Sequence, residues 1–204
     1  MRVLVACEFS GTVRRAFRAL GHDAWSCDLL PAEDCSVNHI IEDALNVSYR
    51  GEWDLMIAHP PCTYLSRAGA RWWKDSERQK KADEAAEFVL SLWRAPIARI
   101  AIENPIGQLN QRWRYPDQTI QPRYFGHPFT KATCLWLKNL PPLMSTMICA
   151  SARPFLPSNT GGAKRGQKFN RGVVRGGLEA ARTFDGIAHA MAGQWGGDIR
   201  QVTA

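Results

Sequence analysis

A cysteine placed directly after two prolines is the residue of this sequence best suited to chemistry. Pro60 and Pro61 restrict the backbone at the end of an apolar run. Cys62 is therefore expected at the start of a loop, presented rather than packed. A thiolate there is a nucleophile if the site lowers the thiol pKa. Cysteine is more often a small buried residue, and we expect that role for Cys7, Cys27, Cys35, Cys134 and Cys149.

A carboxyl group at the end of a neighbouring strand would complete such a site. Glu103 and Asn104 close the next predicted strand, and the carboxyl ends of parallel strands share one edge of a sheet, where ligands bind. A partly desolvated carboxyl group can hold or donate a proton. Each residue alone is better explained as a buried cysteine or an ion-paired glutamate. Their pairing at adjacent strand ends favours a catalytic site.

Two aspartates at earlier strand ends indicate a nucleoside pocket. Asp28 ends the second predicted strand, where a carboxylate can accept hydrogen bonds from ribose hydroxyls or can simply form a turn. Asp43 follows the third strand and can accept an adenine amino group or cap the next segment. The turn Phe9-Ser10-Gly11 after the first strand allows close backbone approach to a ligand, although one glycine is a weak signal.

The elements that must position these residues alternate along the first half of the chain. Apolar runs predict strands over residues 2–7, 23–29, 39–42, 54–59, 99–103, 119–125 and 132–137. Helical periodicity predicts helices over residues 12–20, 76–93 and 186–195. Almost continuously apolar strands separated by helices indicate an α/β fold, a mostly parallel sheet with helices on both faces.

Composition bounds the class of protein and its partners. The chain has 204 residues, 45% hydrophobic and 22% charged, which suits one domain or one domain with a small appendage. No apolar run reaches the ~20 residues of a membrane span, and the N-terminus lacks a signal-peptide pattern, so we expect a cytoplasmic protein that binds no membrane. A net charge of +7 and a pI of about 9.3 favour a polyanionic partner.

Basic residues are concentrated in two segments. One, rich in glycine and therefore expected to be a flexible loop, spans residues 151–182 with Glu179 as its only acid. Its basic residues are Arg153, Lys164, Arg165, Lys168, Arg171, Arg175 and Arg182. The other follows Cys62 and interleaves Arg67, Arg71, Lys74, Arg78, Lys80 and Lys81 with Trp72 and Trp73. Basic residues beside aromatic ones suit contact with a nucleic acid, and the alternative is a solvated helix start.

Taken in order, these motifs resemble those of the DNA cytosine-5 methyltransferases. The resemblance is carried by Phe9-Ser10-Gly11, Asp28, Asp43, Pro60-Pro61-Cys62 and Glu103-Asn104-Pro105. Pro-Pro-Cys followed by Glu-Asn is its most specific part. The likeness covers residues 1–137, with Gln121-Pro122-Arg123 as a weaker match, and resumes at residues 186–192. The chain looks closest to short, phage-type members.

The resemblance implies a Rossmann-like methyltransferase fold, S-adenosylmethionine as cofactor with S-adenosylhomocysteine as product, and DNA as substrate. Catalysis would rest on Cys62, which adds to carbon 6 of a flipped cytosine, with Glu103 and Arg123. The implied cofactor residues are Phe9, Ser10, Gly11, Asp28, Leu29, Asp43, Ala44 and Pro60. The expected DNA contacts are Pro61, Asn104, Gln121, Arg67, Arg71, Trp72, Lys164, Arg165, Lys168 and Arg171. No metal is required, and we expect a monomer.

The sequence departs from the family pattern in three places. Thr12-Val13-Arg14 follows Gly11 where more glycines are usual, and Pro105 stands where valine is common. The large target-recognition domain of the family is reduced here to residues 140–182, between catalytic segments 1–139 and 183–204. We therefore expect short or relaxed sequence specificity, because readout of bases needs several placed side chains.

Three other functions fit parts of the pattern. A methyltransferase acting on RNA, single-stranded DNA or a nucleotide would keep the fold and the cofactor, although the basic segments disfavour a free nucleotide. A DNA-binding protein without catalysis would need neither Cys62 nor Glu103. An oxidoreductase with Asp28 on a ribose ranks last, since no GxGxxG follows the first strand.

Overall fold

The computed structural model describes residues 1–67, 70, 73–155 and 182–197, and a seven-stranded sheet lies at its centre. The strands are β1 (Arg2–Ala6), β2 (Asp23–Asp28), β3 (His39–Ile41), β4 (Leu55–Ala58), β5 (Arg99–Pro105), β6 (Gln118–Ile120), β7 (Phe129–Thr130), β8 (Thr133–Lys138) and β9 (Arg153–Pro154). The helices are α1 (Thr12–Ala19), α2 (Ala44–Arg50), α3 (Ser76–Arg94), α4 (Leu109–Arg112) and α5 (Asp185–Trp195).

The order of the strands in the sheet is β3-β2-β1-β4-β5-β8-β6. The first five are parallel, and β8 lies antiparallel between β5 and β6. The short strands β7 and β9 form a separate parallel pair. This mostly parallel α/β sheet confirms the predicted Rossmann-like fold class. Among the described residues, no helix is both long and apolar enough to cross a bilayer.

Alternation along the strands divides the core between the two faces of the sheet. On one face, Val5, Ile57 and Ala101 pack with α1 and α5. On the other face, Leu4 and Met56 pack with α2 and α3. All of these side chains are buried, and each large aliphatic one contributes about 1.5–3 kcal/mol on burial. The sheet is therefore covered on both faces, as predicted.

Several elements differ from the sequence-based expectation. The strands β7 and β9 and the helix α4 were not predicted, and two further differences lie next to candidate site residues. The predicted strand over residues 119–125 ends as β6 at Ile120, and a 3-10 helix, Pro122–Tyr124, follows it. Proline at residue 122 has no N–H for a strand ladder and its φ suits the first turn of a helix. Helix α2 was not predicted; it begins where the Asp43 carboxylate accepts a hydrogen bond from the Leu45 N–H, at 2.8 Å.

Arg14, in the first turn of α1, is a buried structural residue. It donates to the Ser26 hydroxyl of β2 at 2.7 Å and forms an ion pair with Asp34 in the loop after β2. Gly11, at φ +68°, begins α1. A Cβ at residue 11 would collide with the Arg14 guanidinium, so glycine there leaves room for this buried ion pair.

We expect Asp34→Asn to weaken the fold in a pH-dependent way. Arg14 and Arg15 hold the Asp34 pKa at about 2, although partial burial opposes them. Because this folded pKa lies below the unfolded one, the stabilisation is present above about pH 4 and fades as pH falls toward 2. The free energy of unfolding should drop by about 1 kcal/mol at pH 7, since solvent screens a part-exposed carboxylate.

Urea unfolding of both proteins between pH 7 and pH 3 measures this difference. The matched control is Asp23→Asn, whose carboxylate meets Arg2 at 3.6 Å on the surface and should change stability by less than about 0.5 kcal/mol. A loss for Asp34→Asn that stays constant down to pH 3 would contradict the assigned role.

Candidate active site

The carboxyl ends of the three central strands bring titratable side chains to one rim of the sheet. Glu8 follows β1, His59 follows β4, and Glu103 lies near the end of β5. The registers pair Ala6 with Ala58 and Ala58 with Ile102, so these ends are level. The expected convergence of strand ends is therefore present in the structure.

The loop that carries Cys62 is folded into a tight turn. The carbonyl of Cys62 accepts the N–H groups of Leu65 at 3.1 Å and Ser66 at 2.8 Å. Leu65 is fully buried and anchors the loop in the core below α3. Cys62 itself is exposed, so the two prolines and this turn present the residue to solvent, as its position in the sequence predicts.

A second segment, residues 104–108, is fastened to the Cys62 loop. The buried Asn104 amide donates to the Pro60 carbonyl at 2.9 Å, and the Gln108 N–H donates to the Leu65 carbonyl at 2.7 Å. A Cβ at Gly107 would collide with the Leu65 carbonyl oxygen. Asn104 was expected to contact substrate, but its amide group donates its hydrogen bond to the Cys62 loop instead. The hydrogen bond fixes Pro60 and Glu103 relative to each other.

Glu103 is held as a carboxylate by its neighbours. Burial alone would raise its pKa, but the hydrogen bond from His59, the charge of His59 and the charge of Lys131 together lower it. The His59 Nδ1 lies 3.1 Å from Glu103 Oε2, and the Glu103 side chain remains 22% exposed. An ionised carboxylate with exposed surface can accept a hydrogen bond or a proton from a ligand.

Cys62 rests as a thiol in this environment. Although Cys62 as a residue is exposed, the surrounding atoms partly desolvate its sulfur. This desolvation and the negative charge of Glu103 raise the pKa of the Cys62 thiol, and the positive charge of Lys131 opposes them. The site therefore does not by itself generate a thiolate, contrary to what a simple nucleophile needs. A bound substrate or a positive charge must complete the activation.

The other cysteines do not all follow the expectation of buried residues. Cys27 and Cys134 are buried, Cys7 and Cys149 are partly buried, and Cys35 is exposed. The expectation is wrong for Cys35 because it lies in the loop after β2 with a left-handed backbone, φ +50°, outside any packed element. Burial raises the pKa of Cys27 to about 12, which makes that thiol inert.

The two aspartates expected to bind a nucleoside each use one oxygen within the protein. Asp28 Oδ1 accepts the Leu30 N–H at 3.0 Å, and Asp43 Oδ1 caps α2. Their second oxygens have no hydrogen-bond partner among the described residues, and both remain available to a ligand. Beside them Leu29 and Ile41 are 74% and 62% exposed, an apolar surface that a flat heterocycle would cover.

The remaining expected cofactor residues are Phe9, Ser10 and Gly11 in the turn before α1, Ala44 at the start of α2, and Pro60 after β4. Phe9 is partly buried, whereas Ser10, Gly11, Ala44 and Pro60 are buried. The first N–H groups of α1 are already used, because the buried Glu8 carboxylate accepts those of Val13 and Arg14 at 2.6 and 3.2 Å. Ser10 also lines a groove of about 450 Å³ with Thr12, Arg15, Glu33, Asp34, His127, Arg182, Thr183, Phe184 and Asp185.

Gln121 and Arg123 follow β6, whose carboxyl end lies on the same side of the sheet as that of β5, since β8 runs antiparallel to both. The Gln121 Oε1 and the Arg123 Nε are buried and have no hydrogen-bond partner among the described residues. The Arg123 guanidinium lies 5.7 Å from the Tyr124 ring. These unpaired polar atoms leave both side chains with capacity for a ligand.

The basic residues after Cys62 divide into surface and structural ones. Arg67 is exposed, as are Lys74, Lys80 and Lys81. Arg78 instead donates to the Thr63 carbonyl at 2.9 Å and lies over the Tyr64 ring, so it ties α3 to the Cys62 loop. Arg71, Trp72, Lys164, Arg165, Lys168 and Arg171 lie outside the described residues.

Three functional candidates were given no individual role from the sequence: Glu8, His59 and Lys131. Glu8 and His59 carried a signal, since each is the first polar residue after a buried strand of the sheet. Lys131 carried none, because only tertiary folding brings the β7–β8 turn near Cys62. Within the described ranges, no three His, Cys, Asp or Glu side chains are grouped to hold a metal ion.

Comparison with known proteins gives distant resemblances. No family model and no curated protein matches the chain. One similar solved structure, described as a DNA modification methyltransferase encoded within an E. coli prophage, has a TM-score of 0.48 and 15% identity over 73% of this chain and 52% of its own. A DNMT2 variant from Spodoptera frugiperda has a TM-score of 0.38 and 14% identity over 78% of this chain and 56% of its own. The chain spans about half the length of each.

We expect the alkylation rate of Cys62 to report the charges around it. In the wild type, iodoacetamide should react slowly at neutral pH, and the rate should rise with pH beyond the ordinary thiol range. Glu103→Gln removes the negative charge and should increase the rate at pH 8 about 3- to 10-fold, whereas Lys131→Met should decrease it. Peptide mass spectrometry measures the rate, with exposed Cys35 as internal reference. Identical pH profiles in the three proteins would contradict this electrostatic picture.

Proposed function

We propose that this chain transfers a methyl group from S-adenosylmethionine to carbon 5 of cytosine in DNA, with Cys62 as the nucleophile. The observation that supports it most is the joining of the Cys62 loop to the Glu103 strand end through Asn104 and Pro60. A thiol whose pKa responds to a neighbouring carboxylate at one sheet rim provides the pair that this reaction needs. The type of reaction is taken from the resemblance of the sequence motifs to those of the DNA cytosine-5 methyltransferases.

The role of Cys62 is to make carbon 5 of the base reactive. Its sulfur adds to carbon 6 of the pyrimidine, forming a carbon–sulfur bond, and the electron pair of the 5,6 double bond moves toward carbon 5 and the ring. After carbon 5 has gained a methyl group, its proton leaves to a base. The double bond re-forms and the carbon–sulfur bond breaks, which releases Cys62 as a thiolate. The proton that the ring nitrogen received then returns through Glu103 and restores the thiol.

The role of Glu103 is to balance charge and protons during that addition. Its carboxylate accepts a hydrogen bond from the exocyclic amine of cytosine, and it can take up the proton that leaves the Cys62 thiol. The resulting carboxylic acid can then donate this proton to the ring nitrogen, where negative charge develops. A resting carboxylate beside a resting thiol thus fits the start of the reaction.

The residues that would hold the cofactor are those at the ends of β1, β2 and β3. The free oxygen of Asp28 suits ribose hydroxyls and the free oxygen of Asp43 suits an adenine amino group. Exposed Leu29 and Ile41 offer apolar contact to the purine. S-adenosylmethionine supplies an electrophilic methyl group on a sulfonium centre. These features of the described residues fit the cofactor.

DNA as the substrate is supported by the charge of the chain and by access to the base. Carbon 6 cannot be reached in a stacked duplex, so the target base must be flipped out at a cost of a few kcal/mol. A net charge of +7 provides phosphate contacts that offset this cost. Exposed Arg67 and Lys74 follow Cys62 in the chain, and Gln121 and Arg123 are proposed to contact the flipped base.

The direct test is transfer of labelled methyl from S-adenosylmethionine to double-stranded DNA, followed by identification of the labelled nucleoside. The wild type should yield 5-methylcytosine. Cys62→Ser should lose essentially all activity, at least ~1,000-fold, because a serine hydroxyl is a far weaker nucleophile at neutral pH. Cys35→Ser, also at an exposed cysteine, is the matched control and should retain activity.

Other results would redirect the proposal. If the wild type binds the cofactor and labels RNA or single-stranded DNA alone, the catalytic chemistry stands and the duplex substrate fails. If it labels no nucleic acid, methyl transfer itself is excluded and a binding protein with this fold becomes the leading explanation. Activity retained by Cys62→Ser would remove Cys62 from the mechanism.

A covalent adduct is expected with DNA that contains 5-fluorocytosine. Fluorine at carbon 5 cannot leave as a proton does, so the enzyme that has added through Cys62 and transferred the methyl group stays bonded to the base. The wild type should form a complex that survives denaturing electrophoresis, only when S-adenosylmethionine is present. Absence of this complex from an active enzyme would exclude the adduct, and Cys62→Ser serves as the negative control.

A further inference from the structure

His59 lies in the middle of a row of charged groups that crosses the centre of the sheet. It is the first residue after β4, and its N–H donates to the Ala6 carbonyl of β1 at 2.9 Å. Side chains alternate along a strand, and Ile57, two residues before His59, packs on the face covered by α1 and α5, so the His59 side chain lies on that face. Glu103 lies on the same face, because Ala101, two residues before it, also packs there. Glu8, bonded to the first turn of α1, lies on that face as well.

The contact between His59 and Glu103 is direct and shielded. Nδ1 of His59 lies 3.1 Å from Oε2 of Glu103, and the His59 side chain is 8% exposed. The Nε2 is buried and has no hydrogen-bond partner among the described residues. An imidazole fixed at its backbone and at one ring nitrogen holds its partner in one orientation, because neither group can turn freely.

The His59–Glu103 contact lies among other titratable groups whose pKa values it can affect. Burial raises the pKa of Glu8 on one side of His59, and the positive charge of His59 opposes that effect. On the other side, Glu103 is influenced by His59 and by Lys131, while the Cys62 thiol responds to the charge of Glu103. On β8, burial and the charge of Glu103 also raise the pKa of the Cys134 thiol. The titratable groups around the pair thus come from the loops after β1 and β4, from β5, from β8 and from the β7–β8 turn.

We infer that His59 is the positioning residue of the reaction proposed above: through its hydrogen bond it orients the Glu103 carboxylate toward the target base. This inference rests on the proposed function for its effect on turnover, whereas its effect on Glu103 is independent of any substrate. His59 does not touch the reacting atoms in this assignment, and it acts through Glu103.

The sign of the pH effect follows from the neighbours of Glu103. With His59 in place, Glu103 ionises at lower pH than usual, so its carboxylate is present above that pH and is lost as pH falls through it. Without the His59 hydrogen bond and charge, burial is opposed only by Lys131, and the ionisation moves to higher pH. The acidic limb of the activity profile should move in the same direction.

The first test follows the Glu103 carboxyl group itself. Glutamate labelled with 13C at the side-chain carboxyl gives resonances that titrate, and the Glu103 resonance is the one missing from Glu103→Gln. His59→Leu, which removes both hydrogen bond and charge, should raise its midpoint by about one pH unit or more. His59→Asn restores a donor without charge and should give an intermediate midpoint. An unchanged midpoint in both variants overturns the inference, whatever the activity.

The second test is steady-state methyl transfer to DNA. His59→Leu should lower kcat roughly 10- to 100-fold, the range that misplacement of one catalytic group costs, with the KM for DNA little changed. His59→Asn should recover part of kcat and keep an acidic limb shifted upward. Circular dichroism confirms that each variant is folded. Equal losses in both variants with an unshifted pH profile would show a packing role and overturn the inference. A wild type without methyl transfer would refute only the proposed function.

Discussion

The hydrogen bond from the Asn104 amide to the Pro60 carbonyl is the interaction on which the candidate site depends. Cys62 and Glu103 belong to segments about forty residues apart in the chain, and each segment alone would be free to move. Because the Asn104 amide is buried, losing its partner would leave an unsatisfied donor at a cost of about 1–3 kcal/mol. That cost keeps the two segments together, and the Gln108–Leu65 contact holds them a second time.

Charge is balanced within this site in a way that leaves both reactive groups in their unreacted forms. Glu103 is favoured as a carboxylate and Cys62 as a thiol, so neither carries out chemistry until a ligand changes the local electrostatics. Arg14 is another buried charge with an opposite partner. Its guanidinium pairs with Asp34 and thereby joins α1 to the loop after β2. Buried charges are retained here only where an opposite charge or a backbone donor faces them.

The sequence predicted most strands of the sheet well and the short elements around them less well. Continuous apolar runs located β1, β2, β4 and β5 to within about two residues, because their side chains are buried on both faces of the sheet and leave an unbroken signal. It missed α2, whose seven residues are too few to show periodicity, and the still shorter α4, β7 and β9. It extended β6 past Ile120, although Pro122 could have marked the end of the ladder.

By itself the sequence determined the fold class, the exposed position of Cys62 and the placement of Glu103 and Asp28 at strand ends, because these follow from apolar runs and from the backbone limits of proline. Only the tertiary structure decided what those residues meet. Strand register and loop packing bring His59 to Glu103 and Lys131 near Cys62. They also place the Asn104 amide where it hydrogen-bonds the Cys62 loop. Such contacts join residues that are far apart in the chain, and the distances between those residues in the folded protein cannot be read from the local sequence.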